Sequence, residues 1–274
     1  MRLFKLPFQT RKASRGEGPR KPVVLMHIAE TTGTAVRLAL AEALGQGPTS
    51  YWVETGQLAS AWRTDPWNLA GNRLISGHFG TDFINHLPFP VFRASFVRDP
   101  VERCLSHYRF TRDLDLSRLS PKLASRVAES RTEPLERLLA SSDPFLVAQY
   151  SNHQARQFAG RSPMEPGERD IEPGNDLLER ALDQATKFEF VGLHEQHLPS
   201  MQLLFRLLDL TFDSGRHAAR VDTGRTYVKN PQIHADEPLR ALIRKHNEAD
   251  IALYEALVRR FETKLREAEP DGKE

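Results

Sequence analysis

Short apolar runs alternate with helical periodicity along most of the chain. The first run, at residues 23–28, reads VVLMHI and passes through a small polar loop into an Ala/Leu-rich helical pattern. Runs of this kind are typical of strands buried on both faces of a parallel sheet. Further strands are predicted at 50–54, 73–79, 91–97 and 188–193. Helices are predicted at 100–111, 133–140, 144–158, 177–185, 201–210 and 238–265. The alternation predicts an α/β protein with a central parallel sheet flanked by helices.

Length and composition favour one domain. The chain has 274 residues, and no long linker interrupts residues 21–265, which we assign to a single domain. Residues 1–20 are predicted to be a flexible basic leader and 266–274 a disordered tail. Polar residues 116–131 are expected on the surface, and 160–174 in an exposed loop.

Charge and cysteine content narrow the class of protein. There are 38 basic and 36 acidic residues, so the small net charge gives no strong positive electrostatic field that would favour nucleic acid. Any anion-binding site has to be formed by a local group of residues. The single Cys104 excludes an intrachain disulfide and fits a reducing compartment. No stretch approaches the ~18 consecutive apolar residues of a membrane span, and no signal peptide is evident. These features predict a cytoplasmic protein without a membrane span.

The loop at 29–34 is a candidate phosphate site. It joins a buried strand to a helix N-terminus, where unpaired backbone N–H groups and the helix dipole favour an anion. The spacing Gly-x-x-x-x-Gly-Lys-Ser/Thr of the nucleoside-triphosphatase loop is absent. A strand–Gly–helix turn that binds nothing is an equally common use of this pattern.

A second candidate phosphate site follows the strand at 91–97. Arg98 comes directly after this strand, at the edge of the sheet where open α/β folds bind ligands. Ser106 lies a little over two helical turns further on, near the same face. A guanidinium and a hydroxyl placed together can hold a second phosphate. Two such sites predict a doubly phosphorylated ligand.

Both motifs resemble those of one enzyme family. HIAETTGT at 27–34 is similar to the HIPKTGGT loop of carbohydrate sulfotransferases, the family of the heparan sulfate 2-O and 6-O enzymes and their bacterial relatives. FVRDPVERCLSHY at 96–108 resembles that family's 3′-phosphate motif. Shorter similarities occur at 76–79, 190–195 and 247–254. The resemblance spans roughly residues 21–262 with the motifs in the family's order, and it implies a P-loop-like sulfotransferase fold.

The resemblance implies transfer of a sulfuryl group from 3′-phosphoadenosine 5′-phosphosulfate (PAPS) to an acceptor hydroxyl on a saccharide, without a metal. By position, His78 would be the catalytic base. Arg98 and Ser106 would hold the 3′-phosphate of PAPS, or of the product adenosine 3′,5′-bisphosphate, and Arg225 is a further candidate there. The 5′-phosphosulfate would be lined by Thr31, Thr32, Gly33, Thr34 and Ala35.

The loop departs from the family at Glu30, where a catalytic lysine is expected. At an effective dielectric near 20, unit charges ~4 Å apart interact by about 4 kcal/mol, so a carboxylate here opposes an anionic donor. Three explanations stay open. Glu30 turns outward while Arg37, Arg103 or Lys229 supplies the charge; the site binds donor without turnover; or the ligand is different.

Other interpretations stand beside these. Glu54 is an alternative base, although surface acids are commoner, and His27 and His107 are expected to be structural, the latter on a helical surface. Cys104 is expected in the core. The HEQH run at 194–197 lacks the His-Glu-x-x-His spacing of a zinc site. The rival functions are a non-catalytic nucleotide-binding protein and, more weakly, a Mg²⁺-dependent phosphotransferase. The acceptor and the oligomeric state are left open by the sequence.

Overall fold

The computed structural model describes residues 21–45, 49–52, 65–119, 121–160, 176–216 and 235–268. Within these ranges the chain forms an α/β fold, as predicted. The leader 1–20, Glu54, Arg225 and Lys229 lie outside the described residues.

Five parallel strands form one sheet in the order β2-β3-β1-β4-β5. They are β1 Val23–Met26, β2 Thr49–Trp52, β3 Leu74–Gly77, β4 Phe92–Val97 and β5 Phe190–Leu193. Every residue of β1, β3 and β5 is buried, which requires cover on both faces of the sheet. The predicted strands are therefore confirmed, although β1 ends two residues earlier than the apolar run.

The strand order creates a switch point between β1 and β4. The chain leaves β1 towards β2 at one edge of the sheet, and it leaves β4 towards β5 at the other edge. Since the strands are parallel, the loops after β1 and β4 diverge at the same carboxyl end. Open α/β sheets bind ligands in the crevice at such a point. Both candidate phosphate motifs begin there.

The helices follow the predicted alternation. They are α1 Gly33–Ala43, α2 Thr81–His86, α3 Pro100–Asp113, α4 Pro121–Arg131, α5 Leu135–Leu139, α6 Pro144–Tyr150, α7 His153–Phe158, α8 Leu177–Thr186, α9 His197–Leu207, α10 Glu237–His246 and α11 Glu248–Ala268. Helix α1 packs against β3, whereas α9 and α11 pack against β5. Helix α11 ends three residues inside the segment predicted as a tail. No helix within the described ranges is both long and apolar enough to cross a membrane.

Two predicted helices are each divided in two. The predicted helix at 144–158 breaks between α6 and α7, where Asn152 has φ 50°. The predicted helix at 238–265 breaks at Asn247, between α10 and α11. Asparagine is suited to both breaks because its side chain can replace backbone hydrogen bonds, and at Asn152 it also tolerates the left-handed backbone. The segment at 116–131, predicted only as polar surface, contains the helix α4.

The core has two parts. The larger surrounds the sheet, and the smaller lies between α3, α5, α6 and α10. Cys104 belongs to the smaller part and is fully buried, which confirms its core assignment and raises its thiol pKa to about 12. His107, on the same helix, is 8% exposed, so its placement on a helical surface was wrong.

Candidate functional site

The loop after β1 has an unusual backbone. Glu30 and Thr32 have φ values of 70° and 67°, a left-handed conformation that costs a β-branched residue such as Thr appreciable strain. The buried Thr31 hydroxyl donates to the Ile28 carbonyl at 2.8 Å, so Thr31 holds the loop together. The Thr32 hydroxyl donates to the Thr31 carbonyl and lies 3.3 Å from His197 Nδ1. Strain maintained by local hydrogen bonds is common in ligand-binding loops.

Gly33 opens α1 at a point where no side chain fits. A Cβ atom at this position would lie 1.9 Å from His27 Cδ2, so the glycine allows the imidazole to pack on the loop. Gly33 and Thr34 are in the first helical turn, where an α-helix offers no acceptor for their N–H groups. The Ala35 N–H already donates to the Thr32 carbonyl at 3.0 Å. Gly33 and Thr34, rather than Ala35, therefore offer backbone donors to an anion.

His78 follows β3 and stacks on His27, with ring centroids 4.3 Å apart. Its Nδ1 lies 2.8 Å from the His27 carbonyl oxygen. A carbonyl only accepts, so Nδ1 carries the proton and Nε2 keeps its lone pair. Burial lowers the pKa of His78 to about 4, and the bond to His27 opposes this shift only in part. Near neutral pH the ring is an uncharged base of fixed tautomer.

Arg98 follows β4 and is held by its backbone as well as by its side chain. The buried amide of Gln154 accepts from Arg98 N at 3.0 Å and donates to Arg98 O at 2.8 Å. Arg98 Nη1 donates to the Glu30 carbonyl at 3.1 Å, which joins the loops after β4 and β1. Its Nε is buried, and no described group accepts from it. Burial lowers the pKa of Arg98, and Glu30 is the first of the carboxylates that oppose this shift.

Glu30 points into the site. Its Oε2 accepts from Ser106 Oγ at 2.6 Å, and its side chain is half-buried, so the first of the three explanations, in which Glu30 turns outward, does not hold. Glu30 has a left-handed backbone, with φ 70°, and its side chain reaches Ser106 in α3. Arg98 and Ser106, the two residues predicted to bind the 3′-phosphate, thus both donate hydrogen bonds to Glu30.

Of the cations considered as substitutes for the missing lysine, Arg103 is fully buried and donates to the Gln149 carbonyl at 2.6 Å. It therefore belongs to the core below the site. Arg37 is half-buried and close enough to His27 to lower the pKa of that imidazole, after burial and His78. Of these two cations, Arg37 is the one that lies near His27 and outside the core.

The HEQH segment borders the same crevice after β5. His194 N donates to the Val97 carbonyl at 2.8 Å, and burial followed by the charge of Arg98 lowers the pKa of His194 to about 4. Glu195 accepts from Asp99 N at 2.9 Å and from the Tyr254 hydroxyl at 2.8 Å. Among the described residues, no three His, Cys, Asp or Glu side chains converge in a way that could hold a metal ion.

A buried polar helix supports the site, and the sequence reasoning missed it. Every residue of α7 is buried, including Gln154 and Gln157. Gln157 Nε2 donates at 3.1 Å to the carbonyl of His27, which also accepts from His78 Nδ1, and at 2.8 Å to the carbonyl of Phe79, the residue after His78. Asp250 in α11 accepts from the N–H groups of Gln154 and Ala155, at 3.1 and 2.6 Å. The only sequence signal was a polar run, HQARQF, within a stretch predicted to be helical.

This helix and α11 cap each other. Asn152 Oδ1 accepts from Ala249 N and Asp250 N, at 3.0 and 3.1 Å, while Asp250 caps the start of α7. Asn247 donates to the Tyr150 carbonyl and accepts from Asn152 N at 2.8 Å. The 247–254 motif of the sequence therefore lies under the site, where it orients the helix that carries Gln154.

Trp67 is 60% exposed and lies beside Phe89, with ring centroids 6.0 Å apart. Trp67 therefore lies outside the hydrophobic core.

No protein-family model matches the chain, and no curated protein matches it. The functional interpretation therefore depends on the site itself.

Proposed function

We propose that the protein is a sulfotransferase that moves a sulfuryl group from PAPS to an acceptor hydroxyl on a carbohydrate, in a P-loop-like sulfotransferase fold. The observation that carries this proposal is the hydrogen bond from Arg98 to the Glu30 carbonyl. It joins the two motifs that the family resemblance assigns to the two phosphate groups of the donor. They meet at the switch point of the sheet.

The residues present fit parts of a doubly phosphorylated nucleotide. The N–H groups of Gly33 and Thr34 are suited to the 5′ side, because they begin a helix and its dipole favours an anion. Arg98 has a buried Nε without an acceptor among the described residues, which suits the 3′ side. The feature that fits least is the Glu30 carboxylate, which accepts the hydroxyl of Ser106.

His78 is the proposed base. Its Nε2 would accept the proton of the acceptor hydroxyl while the acceptor oxygen bonds to sulfur. The sulfur–oxygen bond to the departing phosphate would break, and the first-turn N–H groups would stabilise the charge left there. The fixed Nδ1–H tautomer supports this role because it leaves Nε2 ready to accept.

A second candidate is a non-catalytic protein that binds PAPS or adenosine 3′,5′-bisphosphate on the same fold. It is favoured by one observation, the Glu30 side chain on Ser106 in place of a lysine directed at the donor. Turnover, rather than nucleotide binding, separates this candidate from the enzyme.

Calorimetric titration of the full chain with adenosine 3′,5′-bisphosphate, with ATP as the comparison, tests the proposed donor. We expect the bisphosphate to bind more tightly, without added Mg²⁺. Incubation with labelled PAPS and a panel of saccharides then tests transfer. Preference for ATP with Mg²⁺ would contradict the proposal and favour a phosphotransferase, whereas bisphosphate binding without transfer to any acceptor would favour the second candidate.

A further inference from the structure

We infer that the Glu30 carboxylate occupies the subsite for the donor's 3′-phosphate and competes with that phosphate for Ser106. The inference rests on the proposed function for the identity of the competing group. The anion subsite itself rests on the contacts of Glu30, Ser106 and Arg98.

The contacts of Glu30 are those of a bound anion. Its Oε2 accepts the Ser106 hydroxyl at 2.6 Å, a length typical of a hydroxyl donating to a charged oxygen. Its carbonyl oxygen accepts from Arg98 Nη1 at 3.1 Å, so the backbone and the side chain of one residue engage both predicted phosphate ligands. The carboxylate also acts on Arg98 by charge, as the first of the groups that stabilise its protonated form.

A phosphate and this carboxylate cannot share the subsite. The Ser106 hydroxyl can donate one hydrogen bond, and in this structure it donates that bond to Glu30. A phosphate oxygen that replaced Glu30 at Ser106 would also face a like charge from the displaced carboxylate. Binding of a 3′-phosphate therefore requires the Glu30 side chain to rotate away, and the apparent affinity falls by the fraction of molecules in which it has done so.

Competition of this kind acts on one part of the ligand. A nucleotide without a 3′-phosphate has no group to place on Ser106, so Glu30 leaves its binding largely unaffected. Glu30 thereby reduces the preference of the site for 3′-phosphorylated nucleotides. It is a specificity-determining residue rather than a replacement for a catalytic lysine.

Glu30→Gln tests the inference because it removes the charge and keeps the size and hydrogen-bonding capacity of the side chain. Calorimetry would compare adenosine 3′,5′-bisphosphate, adenosine 5′-monophosphate and inorganic phosphate on the parent protein and the variant. Glu136→Gln, at an exposed position in α5, is the control for net charge. A double variant with Ser106→Ala tests whether any gain depends on the hydroxyl.

We expect Glu30→Gln to tighten binding of the bisphosphate by about tenfold or more and to leave binding of the monophosphate unchanged. The double variant should lose this gain, and Glu136→Gln should show none. If the parent and Glu30→Gln bind the bisphosphate equally, both more tightly than the monophosphate, and neither phosphate nor bisphosphate gains affinity in the variant, the inference is overturned and the proposed donor stays in place. An equal gain in affinity for the monophosphate would also overturn the inference, since removal of the negative charge would then strengthen binding of any anion and not only of the 3′-phosphate.

The two proposals fail in different ways. If Glu30→Gln gains Ser106-dependent affinity for inorganic phosphate but binds the bisphosphate no better than the monophosphate, the subsite stands and the proposed donor is wrong. If the variant gains affinity for neither phosphate nor bisphosphate, the carboxylate does not occupy an anion subsite and the inference is overturned.

Discussion

Replacement of Asp250 by Ala is the most direct test of how the site is supported. Asp250 is fully buried and accepts from the N–H groups of Gln154 and Ala155, at 3.1 and 2.6 Å. Burial raises its pKa, and the Ala155 N–H, the charge of Arg103 and the Gln154 N–H act in the opposite direction. Ala at this position would leave two buried donors without an acceptor and the buried Arg103 without its nearby carboxylate.

The magnitude follows from these losses. A hydrogen bond to a charged group contributes about 1.5–3 kcal/mol, and Asp250 accepts two such bonds from buried N–H groups. The two hydrogen bonds share one carboxylate and are not fully additive, so we expect Asp250→Ala to lower the free energy of unfolding by about 3–5 kcal/mol. Asp236, which caps the exposed start of α10 by accepting from Leu239 N at 3.0 Å, is the matched control. Ala at Asp236 should cost about 1 kcal/mol.

Urea unfolding followed by circular dichroism measures both variants. Asp250→Asn keeps one acceptor oxygen and should recover part of the loss, which provides a measurement if the Ala variant does not fold. A cost for Asp250→Ala no larger than that of Asp236→Ala would refute the reasoning. The mutual capping of α7 and α11 would then not contribute to stability beyond an ordinary surface cap.

Two further predictions concern histidines. His78→Ala should abolish turnover and spare bisphosphate binding; loss of binding would instead mark a structural role. In the parent protein, the plot of kcat/KM against pH should fall on its acid side near the lowered pKa of about 4 rather than near 6.5. His107 and His153 are buried with lowered pKa values, about 3 for His107, so only the unfolded chain takes up protons as the pH falls below about 6.5. Stability should fall by about 1.4 kcal/mol per histidine between neutral pH and pH 5.5. Urea unfolding at the two pH values checks this, and pH-independent stability would contradict it.

The parts of the fold that could be predicted depend on local pattern. An apolar run followed by Gly33 and helical periodicity predicts a strand, a loop and a helix without knowledge of the rest of the chain. The junction at Arg98 was predictable for the same reason, because Pro100 sits at the first turn of α3 and Asp99 caps it. Both motifs lie at the carboxyl end of the sheet because parallel strands have their carboxyl ends at one edge.

The parts that could not be predicted depend on contacts between distant segments. Asn152 and Asp250 are 98 positions apart, and nothing near either residue indicates a partner. On α3 the polar residues Arg103, His107 and Thr111 are four positions apart and buried, whereas a polar stripe on a helix ordinarily faces solvent. Buried polar networks of this kind are specified by tertiary packing, which a single sequence does not display.

The direction of Glu30 follows from the same network. Its left-handed backbone and that of Thr32 each cost about 1–3 kcal/mol, which the surrounding contacts have to offset. Gln157 holds the carbonyl of His27 before the loop, and Arg98 holds the carbonyl of Glu30 within it. The loop backbone is thus fixed by protein contacts before any ligand binds. Under the proposed function, a 3′-phosphate would have to move only the Glu30 side chain. An effect of Glu30→Gln on affinity would therefore report competition at Ser106 and not a refolding of the loop.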